Sequence, residues 1–306
     1  MLYQLSYTPA SGAMPRKSVA HSGLTKGMQP QRSSKSPVMA REEPQIIPPE
    51  LLLRAYRAGI FPMADSRDDP EIYWVEPRMR AILPLNGFHL SHSLARTLRR
   101  DRFRVTCNAA FDAVIDQCAA PRPDAEESWI SMRIRDSYRQ LHRIGAAHSI
   151  ETWMTGADGV ERLVGGLYGV GFARVFCGES MFARAPDASK VALAWLVAAL
   201  RFGGAELLDC QFTTPHLASL GAVELPQSDY LALLAHASRP FSPDEHALYR
   251  GGAASTGASS PPAESAAVSG AGALLPLGFA ALAEAAAAGS SSSPGNFIAQ
   301  SLTQTS

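Results

Sequence analysis

Cysteine is scarce in this chain of 306 residues. The four present, Cys107, Cys118, Cys177 and Cys210, form no CxxC pair. Three lie in apolar runs and read as small buried thiols. No His or Cys pair has ligand spacing on a plausible element, which argues against a metal site. Acid is absent from residues 1–40, which hold Arg16, Lys17, Lys26, Arg32 and Lys35 among many Ser, Gly and Pro. That stretch lacks periodicity, so disorder is expected. No apolar core follows its basic residues, so no secretory signal is read. It resembles a transit peptide in composition only, and Met28 or Met39 is the plainer start. A membrane span is also lacking. Residues 270–288 are apolar but dominated by Ala and Gly, with Pro276 and Glu284 inside.

Net charge is zero overall, with 28 basic and 28 acidic residues. Setting aside the five N-terminal cations leaves 23 against 28, a net of −5 over 41–306. Bulk charge therefore implies no nucleic-acid partner, and a local basic patch would be needed. Residues 251–306 are Ala, Ser and Gly in low complexity. About 200 residues of globular sequence remain, enough for a substantial core.

Pro48-Pro49-Glu50 opens a helix that carries Leu51, Leu52, Ala55 and Tyr56 and ends at Gly59. Short strands are expected at 73–74 and 81–85. Ser91 can cap a helix over 92–100. A strand over 103–107 and helices over 110–118 and 131–144 follow. Three strands are expected next, at 148–154, 163–170 and 173–178, with Gly169 and Gly171 marking the last turn. Asp187 or Ser189 caps a helix over 190–202, stopped by Gly203-Gly204. Strand 206–212 then favours a parallel crossover. Helices at 216–220 and 228–237 complete the pattern. The class is α+β or α/β, a mixed sheet with helices on it.

Chemistry is concentrated where apolar runs meet polar groups. Glu179 follows Gly178 at the expected end of a strand, either capping the next helix or aimed at a cation or proton. Asp209 and Gln211 lie two apart, so they share a strand face. With a parallel crossover the three would converge at one sheet edge, where ligands collect. Arg96, Arg99 and Arg100, with Arg80, Arg102 and Arg104 nearby, form the strongest basic cluster. It reads as a solvated helix face or as a phosphate-tracking patch. Trp74 and Trp129 could stack on a base or pack in a core.

Longer motifs add more. The run LVGGLYGV…FCGESMF…ASKVAL…LLDCQF…HLASLGAVE…Y resembles the leucyl/phenylalanyl-tRNA–protein transferase family. So do GIFPM, the Trp74…Pro77…Arg80-Ala81 stretch, HLSHSL, Trp129-Ile130 and AHSIE. The similarity spans roughly residues 46–237 and includes neither end.

The resemblance implies an α+β fold: a GNAT-like mixed β-sheet with flanking helices plus a small N-terminal α/β domain. The layout would be a disordered basic extension (1–40), a small N-terminal domain (41–108), a GNAT-like catalytic domain (109–240) and a low-complexity tail (241–306). It implies an aminoacyltransferase moving Leu or Phe, Met less well, from aminoacyl-tRNA to proteins that begin with Arg or Lys. The product would pass to an adaptor and an ATP-dependent protease of an N-degron pathway, in the cytoplasm, without membrane, metal or coenzyme. Glu179, Asp209 and Gln211 would be catalytic, with Asp209 orienting Gln211 and Glu179 holding the cationic acceptor. Leu167, Phe176 and Met181 would line the aminoacyl pocket. Trp74 and Trp129 would bracket the 3′-terminal adenosine. Arg80, Arg96, Arg99 and Arg100 would track phosphates.

Three positions depart from the family pattern. Met63 stands where many members have Trp, His92 where a basic residue is common, and the glycine-rich approach before Gly59 is missing. Two rivals remain. An acyl-coenzyme-A N-acetyltransferase would need a pyrophosphate loop, and the nearest stretch is Arg162 to Leu167, which runs into a strand. A non-catalytic tRNA- or peptide-binding module is the other.

Overall fold

The computed structural model describes residues 46–121, 127–239, 273–288 and 293–303. The expected disordered extension at 1–40, and residues 241–272 of the expected tail, lie outside them.

Helix α1 (Pro49–Arg57) has Pro at its first position and buries Leu52, Leu53 and Tyr56. It leads to the antiparallel pair β1 (Phe61–Met63) and β2 (Tyr73–Val75). Next come β3 (Met79–Ile82), α2 (His92–Arg99), β4 (Arg104–Cys107), α3 (Phe111–Ala119) and α4 (Met132–Arg143). Ser91 caps α2 and Ser131 caps α4, each side chain accepting a backbone N–H from the first turn, that of Leu94 and of Ile134. The β-rich centre follows as β5 (Ala147–Thr155), β6 (Glu161–Phe172) and β7 (Val175–Ala183). Then come α5 (Ala188–Phe202), β8 (Leu207–Gln211), α6 (Pro215–Ser219), β9 (Val223–Pro226) and α7 (Gln227–Ala237).

The large sheet has seven strands in the order β4-β5-β6-β7-β8-β3-β9. Among the described residues only β7 and β8 pair in parallel, joined through α5, as the strand–helix–strand spacing implies. Every other pairing is antiparallel. The arrangement is therefore mixed α/β with helices flanking one sheet. Both β3 and β4 precede residue 108, yet both are strands of the large sheet. The boundary expected there cuts through that sheet; α1 and the β1–β2 pair are what stands outside it.

Alternation along the strands sends side chains to two cores. On one face Leu167, Phe176, Met181 and Leu208 pack with α2 and α5. On the other, Tyr168, Val170, Cys177 and Leu207 pack with α1, α3, α4 and α7.

Three expectations change. Gly169 and Gly171 mark no turn: β6 runs through both, and the chain reverses at Ala173, whose φ is 45°. The glycines answer to close packing. A Cβ on Gly165 would stand 2.6 Å from that of Ala188 in α5, and one on Gly169 would stand 2.2 Å from the Cys177 carbonyl oxygen. Asp187 occupies the N-cap of α5 but makes no capping hydrogen bond there; its carboxylate accepts from Thr97 and pairs with Lys190 instead. Finally, part of the low-complexity tail is ordered. Helices α8 (Leu274–Ala288) and α9 (Pro294–Thr303) pack on α5 and α2.

Candidate active site

Glu179 does not end its strand. It lies in the middle of β7, 1% exposed. Tyr168 pairs with Ser180 and Gly169 with Gly178, so Glu179 is an extra residue opposite no partner. This is a β-bulge, a device that re-aims a side chain. Here it turns the carboxylate toward the core that holds Tyr56 and Tyr138.

Gln211 closes β8 with a φ of 59°, in the left-handed region. For a residue with a Cβ that costs roughly 1–2 kcal/mol, and such outliers gather at functional sites. The conformation is held by Asp209, whose Oδ1 accepts the Gln211 backbone N–H at 2.9 Å. The Gln211 side chain reaches across the parallel pair, and its Nε2 donates to Glu179 Oε1 at 2.8 Å. The second Glu179 oxygen accepts from the Tyr138 hydroxyl at 3.0 Å, and Tyr138 is hydrogen-bonded in turn to the Tyr56 hydroxyl.

Burial pushes the Glu179 carboxyl up to about 7, even though the tyrosine hydroxyls favour its ionised form. Burial, with the Glu179 charge adding to it, raises Tyr56, Tyr138 and Tyr168 well above the ordinary phenol value. All three hydroxyls keep their protons at neutral pH.

Asp209 is bound from three sides. Arg80 grips it through Nε at 2.8 Å and Nη2 at 2.6 Å, and the Tyr230 hydroxyl donates at 3.0 Å. The Arg80 guanidinium lies between the rings of Phe61 and Tyr230, 4.7 and 4.6 Å from their centroids. It also donates to the Gly59 carbonyl at 3.1 Å. Burial alone would lower the Arg80 pKa; the facing carboxylate outweighs it and raises it. A bidentate pair of this kind is strong and directional.

The expected site residues thus divide. Glu179, Asp209 and Gln211 converge on one face of adjacent strands. Their connections differ from expectation: Asp209 fixes the backbone of Gln211, while Glu179 fixes its amide. The Glu179 carboxylate, expected to hold the cationic acceptor, is buried. Arg80 is removed from the phosphate-tracking set. It is 1% exposed and committed to Asp209. Arg96, Arg99 and Arg100 are exposed on α2 and at its C-cap. Leu167, Phe176 and Met181 are all buried, in the core on the α5 side of the sheet. They lie on the face opposite the one to which Glu179 turns.

Trp74 is 37% exposed and pairs with Pro62 across β1–β2. Trp129 is half-buried, and its carbonyl accepts from Ala64 N–H at 3.2 Å. The backbones of the two tryptophans therefore meet the short stretch from Pro62 to Ala64 at its two ends, with buried Met63 between. The buried Trp129 Nε1 has no hydrogen-bond partner among the described residues. Phe61, at the head of the same stretch, meets Phe212 edge-on with centroids 5.7 Å apart. This contact joins the tryptophan-bearing hairpin to the end of β8 beside Gln211.

Sequence reasoning misses Tyr56, Tyr138, Tyr230 and the pairing role of Arg80. The tyrosines sit at helical spacing among apolar neighbours and read as core. The available signal is chemical, since a buried Tyr hydroxyl needs a partner. Among the described residues no group of three or more His, Cys, Asp or Glu is gathered for a metal. The stretch Arg162 to Leu167, the nearest to a pyrophosphate loop, lies inside β6. Its backbone is paired with β5 and, from Gly165, with β7. It does not open a helix, as an anion cradle would.

Known proteins place the chain. The family model for leucyl/phenylalanyl-tRNA protein transferase matches residues 82–235, and that for its N-terminal domain matches residues 46–78. The second ends where the large sheet begins. A leucyl/phenylalanyl-tRNA–protein transferase of Novosphingobium aromaticivorans is 72% identical over 276 residues, covering 88% of this chain and 100% of the relative. One from Zymomonas mobilis is 56% identical over 200 residues, 65% of this chain and 73% of the relative. One from Rhizorhabdus wittichii is 58% identical over 188 residues, 61% and 74%. This chain belongs to the leucyl/phenylalanyl-tRNA–protein transferase family of aminoacyltransferases.

Proposed function

We propose that the protein transfers Leu or Phe, and Met less well, from aminoacyl-tRNA to the α-amine of proteins beginning with Arg or Lys. The observation that carries this is the Gln211 amide, held by Glu179 through Nε2 at 2.8 Å. With an N–H so engaged, Oε1 is the acceptor end of the amide. It is an acceptor suited to a neutral α-amine. The aminoacyl ester is already activated, so catalysis is largely alignment. The amine nitrogen forms its bond to the ester carbonyl carbon. The ester C–O bond breaks, and the ribose oxygen leaves with the proton, directly or through water. Gln211, a neutral amide, aligns the amine and removes no proton. Asp209 and Arg80 hold the backbone from which it acts.

Trp74 and Trp129 bracket the 3′-terminal adenosine, and Arg96, Arg99 and Arg100 contact tRNA phosphates. Leu167, Phe176 and Met181, buried on the other face of the sheet, do not line the pocket beside Gln211 and stay outside the reading. An apolar pocket separates methylene differences by only ~1–3 kcal/mol, which suits an enzyme that accepts both Leu and Phe. We read the sheet as GNAT-like and the unit before it as the small N-terminal domain. The products go to an adaptor and an ATP-dependent protease in the cytoplasm. Among the described residues no helix is long and apolar enough to cross a membrane.

The test is transfer of radiolabelled Leu from Leu-tRNA to three peptides beginning with Arg, Asp and Ala. Transfer to Arg alone is expected. Transfer to Asp would mean the chemistry stands and the acceptor choice does not. No transfer, together with calorimetric binding of acetyl-coenzyme A, would favour an N-acetyltransferase.

A further inference from the structure

The two C-terminal helices lie beyond both family matches, which end at residues 78 and 235. They carry almost no charge: Glu284 is the one charged residue in α8, and α9 has none. They supply no phosphate contact of their own. Their placement is nonetheless specific. Leu275, Leu282, Ile298, Ala299 and Leu302 are buried in the core shared by α5 and the inner face of α2. Gly278 lets α8 approach α5 so closely that a Cβ there would stand 2.1 Å from the Ala199 carbonyl oxygen. Phe279 packs on Trp195, with centroids 5.4 Å apart.

The junction of α9 with α2 is closer still. A Cβ on Gly295 would stand 2.0 Å from the Leu98 carbonyl oxygen, in the last turn of α2. The Gly295 N–H donates to Asp101 Oδ1 at 2.8 Å. Asp101 follows Arg99 and Arg100 directly, with a φ of 43°. Its carboxylate thus sits at the N-terminus of α9, where negative charge is favoured. The C-terminal end of α2 is locked to the start of α9.

This matters because α2 is eight residues long. A helix that short has no stability of its own in water and depends on packing. Leu94, Ala95 and Leu98 form its buried side, and α9 covers more of it than α5 does. The opposite side carries Arg96 and Arg99, with Arg100 at the cap. We infer that α8 and α9 brace α2, fixing its arginines as a preformed row for RNA phosphates. The tail is in this way part of the tRNA-binding apparatus. The inference rests on the reading that α2 meets tRNA.

Full-length Gly295→Leu, which forces α9 away from the Leu98 carbonyl, tests it by two readouts. Amide hydrogen exchange over 94–100 should quicken about tenfold while protection in β5–β7 holds, as for a locally opened unit. Affinity for deacylated tRNA should fall several-fold. Unchanged α2 protection and unchanged affinity would overturn the inference. If Gly295→Leu also loosens the sheet, Asp101→Gly takes its place. It tolerates the positive φ and removes only the hydrogen bond between the helix ends. About threefold faster exchange in α2 is then expected, and none would overturn the brace. Arg96→Ala with Arg99→Ala separates the two claims. Unchanged tRNA binding there sinks the phosphate reading, while α2 protection in Gly295→Leu still decides the brace.

Discussion

At the scale of single residues, the site is a chain of hydrogen bonds that ends on the Gln211 amide. Tyr138, itself hydrogen-bonded to Tyr56, donates to one oxygen of Glu179, and the Gln211 amide donates to the other. Burial of this carboxyl has a consequence for stability. Its folded pKa of about 7 lies above the ordinary value of 4.5. The folded state therefore holds a proton that the unfolded state has already released between those limits. The contribution of Glu179 to stability is full below about pH 4.5 and is lost as pH rises through about 7, by an amount on the order of a few kcal/mol. Glu179→Gln keeps the shape and removes the titration. Urea unfolding at pH 5 and pH 7 should show a smaller drop in the variant than in the parent protein; an equal drop would remove Glu179 as its source. Asp209→Asn should cost more at any neutral pH. It leaves Arg80 buried without its counter-charge, a loss of about 3–5 kcal/mol measured as unfolding free energy in urea. A loss under about 1 kcal/mol, the scale of an exposed ion pair, would contradict the buried pair.

At the scale of elements, much is legible in the sequence and the failures share a cause. Ser91 announces α2, Pro49 announces α1, and Gly203-Gly204 announces the end of α5, because caps and breakers act within a few residues. The glycines of β6 mislead because their reason is tertiary. Gly165 is small on account of Ala188 in α5, and nothing in the local run says so. The bulge at Glu179 is invisible for the same reason, since an extra residue is defined only by the partner strand. Asp209 and Gln211 are legible as a pair through strand alternation, but Arg80 reads as a surface cation because its partner lies 129 positions away. The α2 arginines carry an element-level prediction. Arg96→Ala with Arg99→Ala should make the slope of log affinity for tRNA against log salt shallower by roughly 2, about 0.9 for each duplex phosphate no longer neutralised. An identical slope would leave the two as a solvated face.

At the scale of the whole molecule, two cores hold a seven-stranded sheet whose parallel pair carries the site. The parallel step β7–α5–β8 places Glu179 and Gln211 side by side although 32 positions separate them. The α1, β1 and β2 unit then closes over the same end of the sheet, through Phe61 on Arg80 and Phe212 and through Tyr56 on Tyr138. The α8–α9 pair is not legible as structure. Its Ala-rich sequence has little polar contrast, and its burial comes from close approach of small residues to α5 and α2.

In the proposed reaction the Gln211 amide, oriented by Glu179, aligns the attacking amine. Single-turnover transfer of Leu from Leu-tRNA to an Arg-initiated peptide by Gln211→Ala is the decisive test, with Leu-tRNA affinity measured alongside. A rate lower by about 10²–10³ is expected, the size seen when one aligned polar group is removed, with affinity for Leu-tRNA unchanged. A rate within threefold of the parent enzyme would contradict it.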